Sequence, residues 1–153
     1  MTNDINIRLA ALKDLPSWME LVRLVRWNFP GLETEELLMG YQETVIKNIN
    51  RNTAIFAKNN EKVVGVLLFS IKHNMLCCMA VHPNYRKCGI ATKMIDLMLT
   101  KLPDNCDVVV TTFREEDKKG IAPRALYKSI GFVEDDLCCE FDYPEQKFIL
   151  HRN

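Results

Sequence analysis

The segment with the clearest chemical potential is 79–92, with the sequence MAVHPNYRKCGIAT. It places two cationic side chains, Arg86 and Lys87, just before Gly89 and an amphipathic stretch. The first backbone amides of a helix have no acceptor within it, and the helix dipole puts partial positive charge at that end. A glycine at the entrance leaves these amides accessible to an anion. The segment therefore predicts a diphosphate cradle formed by the amides of residues 86–92 and the side chain of Arg86.

The loop in this segment matches neither of two common nucleotide-binding patterns, G-x-x-x-x-G-K-[ST] and G-x-G-x-x-G. A nucleoside triphosphate and a dinucleotide are therefore both disfavoured. His82 opens the loop and is expected at the surface, and Cys88 is expected to be a spacer that offers its amide. The predicted ligand-binding amides belong to Arg86, Lys87, Cys88, Gly89, Ile90, Ala91 and Thr92.

The elements on either side of the loop follow from the spacing of apolar residues. A continuous apolar run over 75–81 is typical of a buried strand, and Pro83 lacks the amide needed to extend it. Apolar residues then recur at helical spacing, which predicts a helix over 89–102. A β-branched run over 107–113 predicts the next strand. Because a helix connects the two strands, we expect them to be parallel.

The remaining patterns predict a mixed α/β fold. Asp14 is expected to cap a first helix, and a second helix is expected over 33–50. Further strands are expected over 5–9, 53–58, 63–70, 132–133, 137–143 and 146–151, and a further helix over 122–130. The predicted fold class is therefore a mixed, mostly antiparallel sheet with one parallel strand pair, flanked by helices. Ligands of open α/β sheets bind beyond the carboxyl ends of strands where the strand direction changes, which is where the loop would lie.

Length and composition narrow the class of protein. The chain has 153 residues, of which 48% are hydrophobic and 26% charged, so we expect a single globular domain spanning 1–153. Its formal net charge of +0 disfavours a nucleic-acid partner, which would need a basic excess. No apolar run suggests a signal peptide or a membrane span, so we expect no membrane association and a cytoplasmic location.

The cysteines suggest neither disulfides nor a metal site. They stand at 77, 78, 88, 106, 138 and 139 and form no C-x-x-C pattern. Each adjacent pair falls in an expected strand, where neighbouring side chains point to opposite faces. We therefore expect reduced, mostly buried cysteines and no bound metal.

Two segments resemble the landmarks of one family, the GNAT N-acetyltransferases. Residues 81–91, V-x-P-x-Y-R-x-x-G-I-A, resemble the family's acetyl-CoA loop, whose signature is [RQ]-x-x-G-x-[GA]. Residues 125–132, ALYKSIGF, resemble its second landmark, a helix that ends in L-Y-x-x-x-G-F. The resemblance implies the GNAT fold and an enzyme that transfers the acetyl group of acetyl-CoA to a primary amine. In that family the amine attacks directly in a ternary complex, without an acyl-enzyme.

The resemblance also implies roles for particular residues. Met79, Ala80 and Val81 would line a wedge between the parallel strands, and the backbone of Met79 and Val81 would bind the pantetheine arm of acetyl-CoA. Tyr127 matches the family's general acid. A phenol has a pKa of about 10 and is protonated at neutral pH, so it can donate. A core tyrosine with a satisfied hydroxyl is the alternative.

Two departures from the family's pattern affect this site. Gly120 replaces an asparagine that often contacts the cofactor, so Arg124 or the backbone beside it is expected to make that contact. Many relatives carry a glutamate base on the strand before the loop, but residues 74–81 contain no carboxylate. Glu115 and Glu116 are candidate bases that would act through water, and solvated loop charges are the alternative.

The acceptor is expected to be a small molecule or peptide that carries a primary amine. Residues 114–145 contain nine acidic and five basic residues, which would form an acidic rim that attracts a cation, or else a solvated face. In the resembled family the turn between the first two helices covers the acceptor site. Trp27 and Phe29 would therefore contact substrate, or else pack between the helices. Relatives often dimerise, and an acyl-CoA sensor without turnover is the alternative function.

Overall fold

The computed structural model describes residues 5–152, which form a seven-stranded sheet with four α-helices and short 3-10 turns. The strands are β1 (Ile5–Leu9), β2 (Ala54–Asn59), β3 (Lys62–Ser70), β4 (Met75–Val81), β5 (Val108–Phe113), β6 (Val133–Glu140) and β7 (Tyr143–Leu150). The helices are α1 (Leu15–Val25), α2 (Glu35–Asn50), α3 (Ile90–Lys101) and α4 (Ile121–Ile130).

The strand order in the sheet is β1-β2-β3-β4-β5-β7-β6. Every neighbouring pair is antiparallel except β4 and β5, which are parallel and joined through α3. The predicted fold class is therefore confirmed, including the parallel pair on which the expected site depends.

Two apolar cores lie on opposite faces of the sheet. One core joins the sheet to α3 and α4 and includes Met94, Ile95 and Tyr127. The other joins the sheet to α1 and α2 and includes Trp18 and Leu38. The central strands β2 and β3 contribute to both cores, which explains why they are apolar along nearly their whole length.

The first helices differ in detail from the prediction. Asp14 does not cap α1 with its side chain, so that prediction was wrong. Its carboxylate is buried and accepts instead from Lys58 Nζ at 2.7 Å, and from the amide of Ala11 at 3.2 Å. The second helix begins at Glu35 rather than residue 33, because Thr34 Oγ1 caps it by accepting from the amide of Leu37.

The last two strands are longer and closer together than predicted. A tight turn at 141–142, where both residues have positive φ, joins β6 directly to β7. Pro144 is tolerated inside β7 because pairing with β5 begins only at the following residue, Glu145. Register between β6 and β7 shifts between Glu134 and Leu137, which is why the sequence suggested two separate strand segments.

The cysteines are reduced in the described part of the chain, but the expectation that most are buried was wrong. Three are exposed and three are half-buried: Cys77, Cys88 and Cys139 are exposed, and Cys78, Cys106 and Cys138 are half-buried. Two of these positions lie on β6, an edge strand, and one lies in the loop before α3.

Residues 5–152 contain neither a cluster of metal ligands nor a helix that could span a membrane. No cluster of three or more His, Cys, Asp or Glu side chains could hold a metal ion. None of the described helices has the length and apolar character needed to cross a bilayer.

Candidate functional site

The parallel strands β4 and β5 begin side by side and then part. Only residues 75–76 of β4 pair with β5, at 109–110. Beyond them β4 continues to Val81 bonded to β3. Cys77 is an extra residue in the register with β3, and such a bulge bends a strand. A gap therefore opens between β4 and β5 toward their carboxyl ends.

Peptide groups of β4 face this gap. The amide of His82 donates to the carbonyl of Val64 in β3 at 2.8 Å. Successive residues of a strand direct their peptide groups to opposite edges, so Ala80 also faces β3 while Met79 and Val81 face the gap. Among the described residues, β5 offers no pairing partner at this level. An extended ligand can therefore bond to the backbone of Met79 and Val81 as a strand would.

The loop after β4 is compact. Residues 83–85 form one 3-10 turn, and His82 Nδ1 accepts from the amide of Asn84 at 3.1 Å. His82 is buried, with its ring edge-on to that of Tyr85, so the expectation of a surface histidine was wrong. Burial lowers the pKa of His82, and the charges of Lys62 and Arg86 lower it further.

The entrance of α3 is open. Within residues 5–152, no amide from 86 to 92 donates a hydrogen bond to the protein. Gly89 has a φ of 78°, a conformation that disfavours a side chain, and a β-carbon placed there would meet nothing within 4 Å. The amides of the first helical turn are thus available to an anion, as the cradle requires.

The side chains around this entrance are suited to negative charge. Arg86 and Lys87 are exposed, and neither forms an ion pair with any described residue. Lys87 has a φ of 63°, which turns the backbone into the helix entrance. Cys88 is exposed beside them, and Ile90 is buried in the core and anchors the start of α3. Residues 86–92 therefore lie together at the entrance of α3, and their binding of a cofactor stays a prediction.

Tyr127 lies on α4, which packs against β5, one of the two strands that border the gap. Its ring is buried against Phe132 and Phe148, with centroids 5.6 and 6.3 Å apart. Its hydroxyl forms no hydrogen bond with described residues, yet it is not sealed from solvent. Burial raises the pKa of Tyr127, and the nearby Cys78 thiol and Glu145 carboxylate raise it further. The hydroxyl therefore remains protonated at neutral pH and is available as a donor.

Cys78 also borders the gap, on the face of α1 and α2. Its sulfur lies 3.6 Å from the hydroxyl of Tyr41, which accepts from Trp18 Nε1 at 3.1 Å. Burial raises the pKa of the Cys78 thiol to about 11. Because the thiolate is the nucleophilic form, this cysteine is unsuited to forming a covalent intermediate at neutral pH.

Arg124 is turned toward the sheet. Its guanidinium donates to Phe113 O at 2.9 Å and to Gln146 Oε1 at 2.8 Å, and it pairs with Glu134. It also lies over the Phe148 ring, 4.9 Å from the centroid. These contacts fix α4 against β5 and β7. Its side chain is therefore engaged, which leaves the backbone nearby for the expected cofactor contact.

Gly120 is constrained by its neighbours. A β-carbon at this position would lie 2.9 Å from Phe113 Cβ and 3.1 Å from Arg124 Cδ. The asparagine that the resembled family often carries would therefore collide with the side chains that hold α4 in place. The close packing around residue 120 therefore explains why a glycine stands there.

The connection between α1 and α2 lies against the turn between β6 and β7. Trp27 is 67% exposed, with the Arg26 guanidinium 4.9 Å from its ring centroid. Phe29 is half-buried and packs against the core of α1 and α2. Gly31 lies against the Phe141 ring of the β6–β7 turn. The connection and that turn therefore meet, with Trp27 exposed beside them and Phe29 packed as the structural alternative predicted.

Glu115 and Glu116 are exposed in the loop after β5 and form no ion pair within the described residues. Their role as bases stays a prediction. Sequence reasoning missed Glu145, which is 6% exposed and pairs in register with Phe113, the last residue of β5. Burial, followed by the neighbouring Glu140 and Asp117, raises the pKa of Glu145 to about 7. The available signal was its alternation with Tyr143 and Lys147, which places 143, 145 and 147 on one face.

Comparisons with known proteins agree with this geometry. The family model described as an acetyltransferase (GNAT) domain matches residues 50–134. No curated protein matches the chain significantly.

Solved structures share the fold over nearly the whole chain. A GNAT family acetyltransferase from Bacillus cereus is 16% identical, covers 97% of this chain and 98% of its own, and has a TM-score of 0.75. The PaiA N-acetyltransferase of Thermoplasma acidophilum, solved with coenzyme A, is 18% identical, with coverage of 94% and 97% and a TM-score of 0.70. The yncA protein of Salmonella typhimurium, solved with acetyl-CoA, is 13% identical, with coverage of 99% and 95% and a TM-score of 0.73.

The family model covers the gap, the open entrance of α3 and α4 with Tyr127, the features that the residues themselves brought together. The chain therefore belongs to the GNAT acetyltransferase family.

Proposed function

We propose that this protein is an N-acetyltransferase that transfers the acetyl group of acetyl-CoA to the primary amine of a small cationic acceptor. The observation that carries the proposal is that β4 and β5 separate next to the entrance of α3. The backbone amides at this entrance donate no hydrogen bond to the described protein. Two relatives of the same fold were solved with coenzyme A or acetyl-CoA, which supports this choice of ligand.

The residues present fit such a ligand. The amides of 86–92, with the charges of Arg86 and Lys87, would hold the diphosphate, since unengaged N–H groups and cations complement its negative oxygens. The sequence from 82 to 92 contains no acidic residue that would oppose it. The peptide groups of Met79 and Val81 would bond the amide-containing pantetheine arm, because they face the gap.

Acetyl-CoA supplies a thioester whose carbonyl carbon is open to attack by a neutral amine. Tyr127 would donate its proton to the departing sulfur, because its hydroxyl is protonated and makes no bond within the described protein. A thiol has a pKa of about 8.5, so a nearby donor assists its departure. The amine arrives as a cation, because a lysine-like amine has a pKa of about 10.4.

The acceptor would enter from the face that carries α1 and α2. Three acidic side chains border this side, Asp117, Glu140 and Glu145, and their negative charge favours a cation. Trp27 stands exposed beside this entrance and would contact the acceptor's apolar part. A positive charge also lies near these acidic side chains: Lys119 Nζ is 5.9 Å from the centroid of the Tyr143 ring.

The direct test compares coenzyme A with pantetheine, which lacks the diphosphate. Coenzyme A at 100 times its dissociation constant should stabilise the protein by about 2.7 kcal/mol in thermal unfolding. Arg86→Ala should weaken stabilisation by coenzyme A but not by pantetheine, and Lys47→Ala, an exposed lysine of α2, is the matched control. Thiol release with acetyl-CoA and a panel of amines then measures turnover.

Each outcome of this test has one meaning. Thiol release that depends on an amine supports the transferase. Binding of coenzyme A without release by any amine would identify an acyl-CoA sensor instead. Equal stabilisation by coenzyme A and pantetheine would contradict the diphosphate cradle.

A further inference from the structure

The end of the sheet nearest the gap carries a group of acidic and polar side chains on one face. Glu145 of β7 is opposite Phe113 of β5 and Cys138 of β6, and Glu140 of β6 is opposite Tyr143 of β7. Directly paired residues of antiparallel strands project to the same face. These five side chains therefore share the face that α1 and α2 cover, and we call Glu140 and Glu145 the carboxylate pair.

Glu145 is buried without a partner for its charge. The residue is 6% exposed and forms no ion pair with a described cation, and its side chain hydrogen-bonds with the carboxyl group of Glu140. The nearest arginine, Arg114, donates to the main-chain carbonyls of Glu145 and Cys138, both at 3.0 Å. A buried carboxylate is costly unless something compensates it, so this position calls for a cation or a proton.

The opposite side of the gap holds the proton donor. Tyr127 lies on α4, which packs on the face of Gln146 and Phe148, whereas Glu145 projects from the other face of the same strand. Glu145 is opposite Phe113, the last residue of β5, and β5 forms one side of the gap. An acid and a carboxylate therefore border one gap from opposite faces.

We infer that Glu145 is the general base of the acetyl transfer, and that the carboxylate pair binds the ammonium group of the acceptor. The inference rests on the acetyltransferase function proposed above. It assigns a base on β7, whereas residues 74–81 of β4 contain no carboxylate.

The proton balance of the reaction closes with these two residues. The acceptor ammonium gives one proton to Glu145, which leaves a neutral amine. Its lone pair forms the C–N bond as the C–S bond breaks, and Tyr127 gives its proton to the sulfur. The second nitrogen proton restores the Tyr127 phenol, and Glu145 releases its proton to solvent. The products are the acetamide, the free thiol and one proton.

The surroundings of Glu145 favour a base that is active near neutral pH. Burial, followed by the neighbouring carboxyl groups of Glu140 and Asp117, raises its pKa to about 7. A base is most effective when its pKa is near the working pH. The titratable and charged groups that face it from neighbouring elements are Glu140, Cys138, Asp117, Arg114 and Tyr127.

Other groups meet these requirements less well. Glu115 and Glu116 are exposed in the loop after β5, so their side chains are in contact with solvent. His82 is buried, but its Nδ1 is engaged by the amide of Asn84. Glu145 alone among these is a buried carboxylate without a cationic partner in the described structure.

The test is the pH dependence of kcat/KM for Glu145→Gln, with a cationic diamine and acetyl-CoA. Glutamine keeps the shape of the side chain and removes the base. In the wild type the rate should rise as pH increases through about 7, because the carboxylate must be ionised. In the variant the rise of kcat/KM with pH should disappear, and kcat should fall by at least about 100-fold. Glu43→Gln, at an exposed site on α2, is the matched control.

Glu140→Gln separates binding from proton transfer. Loss of this charge should raise KM for a cationic diamine by about 10-fold, with a smaller change in kcat. Stabilisation by coenzyme A should be unchanged in both variants, because neither residue lies at the entrance of α3. That measurement also reports whether each variant is folded.

The results distinguish this inference from the proposed function. If Glu145→Gln had the same turnover and the same pH profile as the wild type, the assignment of Glu145 as the base would be overturned. The proposed transferase function would still stand. If the wild-type protein acetylated no amine in the panel, both the base assignment and the proposed transferase function would be overturned. A lost pH limb with retained binding of coenzyme A would support the assignment.

Discussion

Burial has opposite chemical consequences for Tyr127 and Glu145, although it raises the pKa of both. The phenol is already protonated at neutral pH, so the shift only preserves it as a donor. The carboxyl group is normally ionised, and the shift to about 7 makes it exchange a proton under working conditions. In the mechanism proposed above, burial thus serves both the acid and the base.

The Tyr127 hydroxyl can be removed with little structural cost. Because it forms no hydrogen bond within residues 5–152, Tyr127→Phe should unfold at nearly the wild-type temperature. We expect kcat to fall by about 100-fold or more, since a general acid contributes that much, while the dissociation constant of coenzyme A stays the same. Steady-state kinetics and calorimetry would measure both. A variant with wild-type kcat would assign Tyr127 to packing alone.

At the scale of elements, the site depends on how β4, its loop and α3 follow one another. These three were predictable from the sequence, because apolar runs, Pro83 and Gly89 act locally. Glu145 was not, because its position depends on the 141–142 turn and on the register shift within β6 and β7. The prediction that Asp14 caps α1 was wrong for a similar reason, since its ion-pair partner Lys58 is 44 residues away in the sequence.

The entrance of α3 allows a matched pair of glycine substitutions. Gly89→Ala should lower the free energy of unfolding by about 1 kcal/mol, because φ is 78° there and alanine disfavours left-handed backbone. It should also weaken binding of coenzyme A. Gly40→Ala, in the interior of α2 with open space around it, should raise stability by up to about 1 kcal/mol. Denaturant unfolding would measure both changes. Equal effects would contradict the left-handed entrance.

At the scale of the whole molecule, one buried ion pair links the start of α1 to the sheet. Lys58 and Asp14 are both buried, and their charged atoms lie 2.7 Å apart. Lys58→Met would leave the Asp14 carboxylate without its cation, which typically costs 3–5 kcal/mol, so about 3 kcal/mol is expected here.

Denaturant unfolding of Lys58→Met measures this cost, and Lys47→Met at an exposed position is the control. If the whole chain folds as one domain, as we propose, fluorescence and circular dichroism should report the same midpoint for each variant. If only one of the two probes reported a lower unfolding midpoint, this would instead indicate that α1 separates from the sheet.

Only two residue pairs join β4 to β5, so the seven strands form two half-sheets with a seam between them. The apolar core beside α3 and α4 spans this seam, but among the described residues no backbone pairing joins the two strands in its carboxyl-terminal half. A molecule that bonds along β4 there would act as an inserted strand and make the sheet continuous. Catalysis and mechanical integrity would then share one feature: the substrate that is consumed would also complete the architecture of the protein.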